Sequence, residues 1–325
     1  MKKYIEIVLC SVIVITLSIL GFVFNGVNLS QNQIDTLTIL GIVCGCAALY
    51  CFVVGEVARN NSQMDKLWSI LPIAYAWIMA AKGGFKARLI IIAVLITLWG
   101  IRLTFNFARK GAYSLKFWAG EEDYRWQVLR SKKPLNNKLA WGMFDLFFIS
   151  IYQNALVLAM TLPMLTLMDS NTPIRWVDFI AIALMFGFLL LEFIADEQQW
   201  KFHETKKALL REGKQLSELD EPYNKGFNTT GLWGYARHPN YLGEQGFWVS
   251  LLVFTIAASV NTYVVFNWAM FGPLFLVFLF LGSSSFGEGV SNCKYPEYKY
   301  YLASVSKYIP FRKYRFEKAK AKLDK

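Results

Sequence analysis

Long apolar runs separated by short polar or basic segments dominate the chain from end to end. Most runs approach or exceed the roughly 20 residues of helix that cross the hydrocarbon core of a bilayer. They are continuously apolar rather than alternating every second residue, which favours helices over the strands of a closed barrel. The eight candidate spans are approximately Ile5 to Phe24, Thr36 to Val57, Leu67 to Ala81, Ala87 to Ala108, Trp141 to Met168, Trp176 to Ala195, Gln245 to Val260 and Thr262 to Phe286. Because the third run is short and contains Pro72, the pattern predicts an all-α, polytopic membrane helical bundle of seven to eight transmembrane helices.

Composition indicates the same class of protein. Of 325 residues, 55% are hydrophobic and only 18% are charged, which is too apolar for a water-soluble domain. We find no internal repeat and no low-complexity linker. We therefore predict N-terminal transmembrane helices over residues 1–60, one membrane domain over residues 61–311 and a basic cytoplasmic tail over residues 312–325. The densest polar motif lies in the C-terminal half of the membrane domain, residues 190–311.

The formal net charge of +11 is distributed unevenly among the connecting segments. Residues 109–138 and 201–237 are rich in lysine and arginine, whereas residues 25–33 and 169–175 carry almost none. This positive-inside pattern places both termini in the cytoplasm, with the protein in a bacterial inner membrane or the endoplasmic reticulum. Lys82, Lys86 and Arg88 depart from the pattern around the third and fourth spans. The charge therefore favours an anionic lipid surface as the partner of the basic tail, and not nucleic acid.

Ionisable residues inside apolar runs are costly in a bilayer, so each is a candidate functional residue. Near helix ends, however, such a residue can instead be solvated or paired. The residues of this kind, within or at the ends of the runs, are Glu56, Asp65, Arg102, Asp145, Asp178, Glu192, Asp196, Glu244 and Glu288.

A polar cluster over residues 231–246 stands directly before a long uncharged run. It contains Arg237, His238, Asn240 and Glu244, and His238 is one of only two histidines in the chain. Pro239 suits the first turn of a helix, which would place Asn240 and Glu244 one turn apart on the same face. His238 could act as a general acid or as a donor to a phosphate or carboxyl group.

Asp196 and Glu288 should reach the same side of the membrane as this cluster, because the predicted topology ends their helices there. Side chains converging from three helices would form a polar pocket for an anionic cofactor, with an apolar substrate arriving from the lipid. The sequence has no G-x-G-x-x-G after a strand and no G-x-x-x-x-G-K-[ST], and no residue set has metal-ligand spacing. We therefore expect no soluble nucleotide-binding domain and no metal site.

The combination of motifs resembles the DUF1295 branch of the steroid 5-alpha-reductase superfamily, over about residues 65–311. The matching segments are Asp65 with Trp68, Leu98 to Leu103, Arg109 to Gly111, Glu121 to Arg125, Ala195 to Gln198, Gly231 to Trp233, Arg237 to Glu244, Pro296 to Tyr298 and Tyr308 to Pro310. The resemblance implies NADPH-dependent reduction of a carbon–carbon double bond conjugated to a carbonyl, in a steroid- or isoprenoid-like substrate. Hydride would pass to the β-carbon while a donor stabilises the developing enolate oxygen.

The resemblance also implies roles for individual residues. A glutamate and a tyrosine polarise the carbonyl in the better-studied reductases, and by spacing from Arg102 these positions fall on Asp65 and Trp99. An indole N–H can donate a hydrogen bond but is not a practical acid, whereas a protonated Asp65 could donate. The cofactor-binding positions implied by the resemblance are Arg109, Asp196, Arg237, His238, Asn240, Tyr241, Glu244 and Glu288. Gly289 and Val290 replace the basic pair that commonly follows the last of these.

Two alternatives remain open from the sequence. Arg-His-Pro-x-Tyr-x-Gly also occurs in isoprenylcysteine carboxyl methyltransferases and phospholipid methyltransferases, which bind S-adenosylmethionine. That function would leave Asp65, Arg102 and Asp196 without a role. A non-catalytic lipid- or sterol-binding protein is the other alternative, favoured by Trp99 and by the missing basic pair. In each case we expect a monomer whose small-molecule partner is lipophilic.

Overall fold

The computed structural model describes residues 12–13, 15–17, 19–20, 22–23, 26–258, 267–311 and 313–323. Within these residues the chain is helical, and the β-type pairing is an isolated parallel bridge between Ala236 and Ser306. The first predicted span, Ile5 to Phe24, lies largely outside the described residues. The all-α prediction is confirmed for the part of the chain that is described.

The helices follow the apolar runs closely. In chain order they are α1 (Gln31–Ala58), α2 (Gln63–Lys82), α3 (Ala87–Ala108), α4 (Tyr124–Arg130), α5 (Lys138–Phe144), α6 (Gln153–Thr161), α7 (Trp176–Arg211), α8 (Pro239–Ala258), α9 (Phe271–Lys294), α10 (Tyr298–Ser304) and α11 (Phe316–Leu323). A π-helix, Asp145–Tyr152, joins α5 to α6, and a 3-10 helix, Leu162–Leu167, follows α6.

Six helical segments of the described chain are long and apolar enough to cross a membrane, so the protein is an integral membrane protein. They are Gln31–Ala58, Ala87–Ala108, Lys138–Leu167, Trp176–Arg211, Pro239–Ala258 and Trp268–Lys294. The predicted number of seven to eight is not confirmed. The predicted third span lies within α2, which is not among the six and which contains Pro72 together with the charged Asp65 and Lys66.

Helix ends differ from the predicted span ends where polar residues belong to a helix. The apolar span predicted from Gln245 belongs to a helix that begins at Pro239, as the suitability of proline for a first helical turn predicts, and the polar residues after Pro239 are part of that helix. Helix α7 continues past Ala195 to Arg211, as the absence of glycine and proline predicts, and stops before Gly213, whose φ is +87°. The predicted start of the last span, Thr262, lies outside the described residues, which resume at Asn267, and α9 begins at Phe271.

The chain forms two compact units. Unit 1 comprises Met1–Ile182 and Trp248–Leu276, and unit 2 comprises Ala183–Phe247 and Val277–Lys325. In unit 1, α2 packs directly on α3, where a Cβ atom added to Gly100 would lie 2.5 Å from the carbonyl oxygen of Ser69. Only glycine permits this approach, and the hydroxyls of Ser69 and Thr104 hydrogen-bond beside it at 2.7 Å.

Unit 2 has its own aromatic core. Helix α10 and the residues after it pack against the loop that precedes α8. The buried members of this core are Phe227, Tyr298, Tyr300, Tyr301, Val305, Tyr314 and Ala319. The Tyr301 hydroxyl donates to the carbonyl oxygen of Trp233 at 2.5 Å, and the indole N–H of Trp233 donates to the carbonyl oxygen of Ala195 at 3.0 Å. The loop that carries the polar cluster is therefore held between α7 and α10.

Candidate functional site

Arg237, His238 and Glu288 form a hydrogen-bonded group in unit 2. The Nε of Arg237 donates to Oε1 of Glu288 at 2.7 Å, and Nε2 of His238 lies 3.0 Å from the same oxygen. Arg237 also donates through one terminal nitrogen to the carbonyl oxygens of Leu302 and Val305. The side chains of Arg237 and Glu288 are only 11% and 9% exposed. Glu288 therefore joins the polar cluster, and Arg237 ties the loop before α8 both to α9 and to the end of α10.

The backbone reinforces this connection. The amide of Arg237 donates to the carbonyl oxygen of Ser306 at 2.9 Å, and the amide of His238 donates to that of Lys307 at 3.0 Å. These bonds accompany the parallel bridge at Ala236. Burial lowers the pKa of His238 because it disfavours the charged imidazolium, although Glu288 opposes the shift in part. The imidazole is therefore neutral near pH 7 and can hydrogen-bond without adding charge.

Tyr241 covers the other side of His238. The two rings are stacked with centroids 5.1 Å apart and an interplanar angle of 13°. Tyr241 also meets Phe280 of α9 edge to face, with centroids 4.6 Å apart. His238 is thus fixed by a carboxylate on one side and an aromatic ring on another, which makes it a poor mobile proton shuttle.

Asp196 and Asn240 form a second polar pair in unit 2. The Nδ2 of Asn240 donates to Oδ1 of Asp196 at 3.2 Å, and Asp196 is 7% exposed. The Oδ1 atom of Asn240 is buried and has no hydrogen-bond partner. Glu244, one turn further along α8, is 4% exposed. A buried acceptor without a donor is rare in folded proteins, so Oδ1 of Asn240 is suited to receive an N–H or O–H of a bound ligand.

Two glycines of the motif explain why these groups lie so close to α7. A Cβ atom on Gly243 would lie 2.7 Å from Cβ of Glu192 and 2.9 Å from the carbonyl oxygen of Phe188. One on Gly246 would lie 2.3 Å from a ring carbon of Phe188. Small residues at these positions let the α8 backbone approach α7, as is common between membrane helices.

Asp65 is the centre of a polar group in unit 1. Its Oδ2 accepts the indole N–H of Trp126 at 2.8 Å, and its Oδ1 lies 3.5 Å from a terminal nitrogen of Arg125. Its side chain is 14% exposed. Burial raises the pKa of Asp65, and the charge of Arg125 opposes this only in part. The carboxyl group can therefore hold a proton at a higher pH than an ordinary aspartate and donate it.

The loop beside Asp65 is fixed by side chains at the start of α2. The Nζ of Lys66 donates to the carbonyl oxygens of Phe117 and Ala119, each at 2.6 Å, although Lys66 is fully buried. Gln63 donates to the carbonyl oxygen of Trp118 at 2.9 Å, and Asn60 donates to that of Gly120 at 3.0 Å. Four consecutive carbonyls are thus held by three polar side chains, which makes the surroundings of Asp65 rigid.

Trp99, Arg102 and Asn106 recur along α3 at spacings of three and four and are all buried. Trp99 is fully buried and meets Trp248 edge to face, with centroids 4.9 Å apart. Arg109 continues this face, donating to Oδ1 of Asn106 at 2.7 Å. Residues two apart on a helix point about 200° apart. Arg102 therefore lies on a different side of α3 from Gly100 and Thr104, which face α2.

The predicted site residues thus fall into separate groups. Unit 2 brings together Arg237, His238, Tyr241 and Glu288, and it pairs Asp196 with Asn240. In unit 1, Asp65 has Trp126 and Arg125 as partners, whereas Trp99, Arg102 and Arg109 share a face of α3. Trp126 was not predicted as the donor to Asp65. The run Glu121 to Arg125 next to it was the only signal, because residue 126 is 61 positions from Asp65.

Comparison with known proteins assigns the family. The family described as "Protein of unknown function (DUF1295)" matches residues 51–305. The chain is 36% identical over 282 residues to a protein of Schizosaccharomyces pombe, "Uncharacterized protein C594.04c", and the match covers 81% of this chain and 78% of that protein. No solved structure matches the chain. Both matches extend over most of the chain, and the chain therefore belongs to the DUF1295 family.

Proposed function

We propose that the protein is a membrane-embedded, NADPH-dependent reductase of a carbon–carbon double bond conjugated to a carbonyl in a lipophilic substrate. The observation that carries the proposal is the state of Asp65. It is a largely buried carboxyl group, close to the start of a helix, with a raised pKa and a fixed indole donor. When such a carboxyl group holds its proton, it can donate a hydrogen bond to a carbonyl oxygen, as catalytic acids in apolar sites do.

The cofactor residues fit the proposal in part. The buried Oδ1 of Asn240 and the carboxylate of Asp196 would accept hydrogen bonds from the amide, amine or hydroxyl groups of NADPH. Arg237 and Glu288 bind one another, so we assign them to holding the loop and not to the phosphates. NADPH, when bound, would supply the hydride.

The protein residues supply the other half of the reaction. Hydride addition at the β-carbon places negative charge on the carbonyl oxygen, and Asp65 would stabilise that oxygen by hydrogen bonding or proton donation. A fixed donor of this kind contributes about 3–4 kcal/mol to lowering a barrier of this class. Arg125 keeps the Asp65 carboxyl oriented, and Lys66 holds the neighbouring loop, so the donor does not need to be ordered during the reaction.

A non-catalytic lipid- or sterol-binding protein is the second candidate. Trp99 favours it, because its indole is fully buried against Trp248 at the position where reductases of the superfamily that the sequence resembles have a tyrosine. A binding protein would need the apolar surroundings of the site but neither Asp65 nor a cofactor.

One titration separates the proposals. Detergent-solubilised protein is heated with NADPH or with S-adenosylmethionine, and unfolding is followed by tryptophan fluorescence. A ligand at 100 times its Kd adds about 2.7 kcal/mol to stability, so NADPH should raise the melting temperature. A shift with S-adenosylmethionine alone would point to a methyltransferase, and no shift with either would favour the binding protein.

Substitutions test which residues bind NADPH and which take part in the reaction. Asn240→Ala and Glu244→Ala should reduce the NADPH shift, whereas Asn136→Ala, at an exposed position, should not. Asp65→Asn should bind NADPH normally and lose turnover with an enone substrate. If all of these variants behave like the wild type, the site assignment is wrong.

A further inference from the structure

The chain after α10 returns to the surface of a membrane-spanning helix. The hydroxyl of Tyr308 donates to the carbonyl oxygen of Phe280 at 2.9 Å and lies 2.9 Å from the hydroxyl oxygen of Ser284. Both of these α9 residues belong to the candidate span Trp268–Lys294, and both precede the first charged residue of that span, Glu288. The chain around Tyr308 therefore lies level with the last apolar turns of α9, and not beyond the end of that helix.

Two large apolar side chains are exposed at this level. Ile309 is 55% exposed and Phe311 is 75% exposed, and Pro310 between them is exposed as well. An apolar group that continues the surface of a membrane-spanning helix is favourable against lipid, because acyl chains remove it from water. The exposure of these three residues is thus expected of a segment that enters the bilayer interface.

The C-terminal segment, residues 306–323, is also strongly basic, and its charges are not compensated within the protein. Glu317 is the only acidic residue in its sequence. By contrast Lys207, in the same unit, pairs with Glu204 at 2.9 Å. Within the described residues no ion pair is formed by the exposed basic side chains of the segment, which are Lys313, Arg315, Lys318, Lys320 and Lys322.

Helix α11 holds part of this charge in a fixed orientation. Ala319 is buried in the aromatic core of unit 2, and Phe316, one turn earlier, packs against that core. The ring of Phe316 meets that of Tyr300 edge to face, with centroids 5.6 Å apart. Lys318 and Lys322 are four residues apart, so they share an exposed side of the helix. The lysines are therefore presented from a docked helix.

We propose that the C-terminal segment binds a bilayer surface of anionic phospholipid. Ile309 and Phe311 insert among the acyl chains, and the exposed basic side chains contact the phosphate groups of the surrounding lipids. The positive charge attracts anionic headgroups, and the apolar side chains add binding energy by leaving water. Charge alone indicates attraction to such a surface, whereas the contacts of Tyr308 indicate which residues insert and at what depth.

The same segment holds the polar loop before α8. The carbonyl oxygens of Ser306 and Lys307 accept the backbone amides of Arg237 and His238 at 2.9 and 3.0 Å. Lipid bound at the next residues of the segment therefore stabilises this loop. The effect does not require NADPH, so the proposal is independent of the proposed reductase activity.

Photo-crosslinking to lipid tests the inserted group. Full-length protein is reconstituted with a phospholipid that carries a diazirine on its acyl chain, irradiated, digested with trypsin and analysed by mass spectrometry. Cleavage at the flanking basic residues releases residues 308–312, which should carry lipid adducts.

The tryptic peptide of residues 208–211, from the end of α7, is the matched control. Leu210 in this peptide is 38% exposed, but about 22 Å of helix separates it from Ala195, where the apolar run ends. It should carry few adducts. Absence of adducts from residues 308–312, or equal labelling of the two peptides, would overturn the proposal.

Thermal unfolding tests the headgroup contacts. Detergent-solubilised protein is melted without NADPH, in the presence of phosphatidylglycerol, phosphatidylcholine or inorganic phosphate. Phosphatidylglycerol should raise the wild-type melting temperature above its value in phosphatidylcholine. The variant Lys318→Gln/Lys320→Gln/Lys322→Gln should lose about half or more of this rise, because it removes three of the five exposed basic side chains of the segment.

A second variant, Lys201→Gln/Lys207→Gln/Lys214→Gln, makes the same change of charge elsewhere in unit 2 and should keep the full rise. An unchanged rise in the first variant, or an equal loss in both variants, would overturn the headgroup contacts. A rise of the same size with inorganic phosphate would indicate a site for free anions and overturn the assignment to lipid. A missing response to NADPH would count against the reductase and leave these results unaffected.

Discussion

Replacing Glu288 with alanine tests whether the Arg237–His238 pair of the motif has a structural role. The substitution removes the acceptor for Nε of Arg237 at 2.7 Å and for Nε2 of His238 at 3.0 Å. The side chains of Arg237 and Glu288 are both about nine-tenths buried, so solvent screens the attraction between their charges weakly. Removing one partner of a buried pair costs about 3–5 kcal/mol, because the other charge is left uncompensated.

In this variant Arg237 still donates hydrogen bonds to the carbonyl oxygens of Leu302 and Val305, which favours a loss at the lower end of that range. A loss of about 3 kcal/mol corresponds to a fall of roughly 6–12 °C in melting temperature for a domain of this size. The assay is thermal unfolding in detergent without ligand, at one fixed scan rate because membrane proteins often unfold irreversibly. Glu317→Ala, an exposed acid in the same unit, should shift the melting temperature little.

The double variant Arg237→Met with Glu288→Leu should lose less stability than the sum of the two single variants, because no charge is left unpaired, although the carbonyl oxygens of Leu302 and Val305 lose their donor. The reasoning would be refuted if Glu288→Ala left the ligand-free melting temperature unchanged and only reduced the shift caused by NADPH. That result would indicate that Arg237 and Glu288 bind the cofactor.

Two further predictions concern the same unit. Gly243→Ala should lower the free energy of unfolding by about 1–3 kcal/mol through overpacking against Glu192 and Phe188. Gly289→Ala, at an open helical position, should raise it by about 0.5–1 kcal/mol. Chemical unfolding of both variants measures the difference, and equal effects would contradict the close helix contact. Because burial lowers the pKa of His238 below its usual value of 6.5, the unfolded chain binds a proton that the folded chain does not, and stability should fall as pH drops below about 6.5. His238→Gln should reduce that dependence in melting curves taken across this range, and an unchanged dependence would show that another group causes it.

Much of the fold follows from local patterns, and the departures have physical causes. The start of α8 at Pro239 and the end of α7 before Gly213 come from backbone preferences that are readable in one sequence. The π-helix at Asp145–Tyr152 was not predictable, because an apolar run has the same appearance whether its repeat is α or π. Whether α2 crosses the membrane also could not be decided from the sequence, since a short run that contains Pro72 is compatible with several depths in a membrane.

The sequence identified residues of the candidate site, but it did not show which of them contact one another. Asp196, Glu288 and the polar cluster were predicted to converge on one pocket; in the structure Glu288 contacts Arg237 and His238, and Asp196 contacts Asn240. The sequence could not show that Arg237 is bound by Glu288, which is 51 residues away, and so is not directed to a phosphate. Spacing along the chain also gave no indication that Trp126 donates to Asp65.

Transfer of label from the cofactor tests the proposed reaction most directly. The reconstituted protein is incubated with NADPH carrying deuterium at C4 of the nicotinamide and with a set of lipophilic enones, and the products are analysed by mass spectrometry. The proposal predicts a reduced ketone with deuterium at the β-carbon, formed by the wild type and greatly diminished in Asp65→Asn. Unlabelled or unreduced substrate across the whole set, with NADPH left intact, would contradict it.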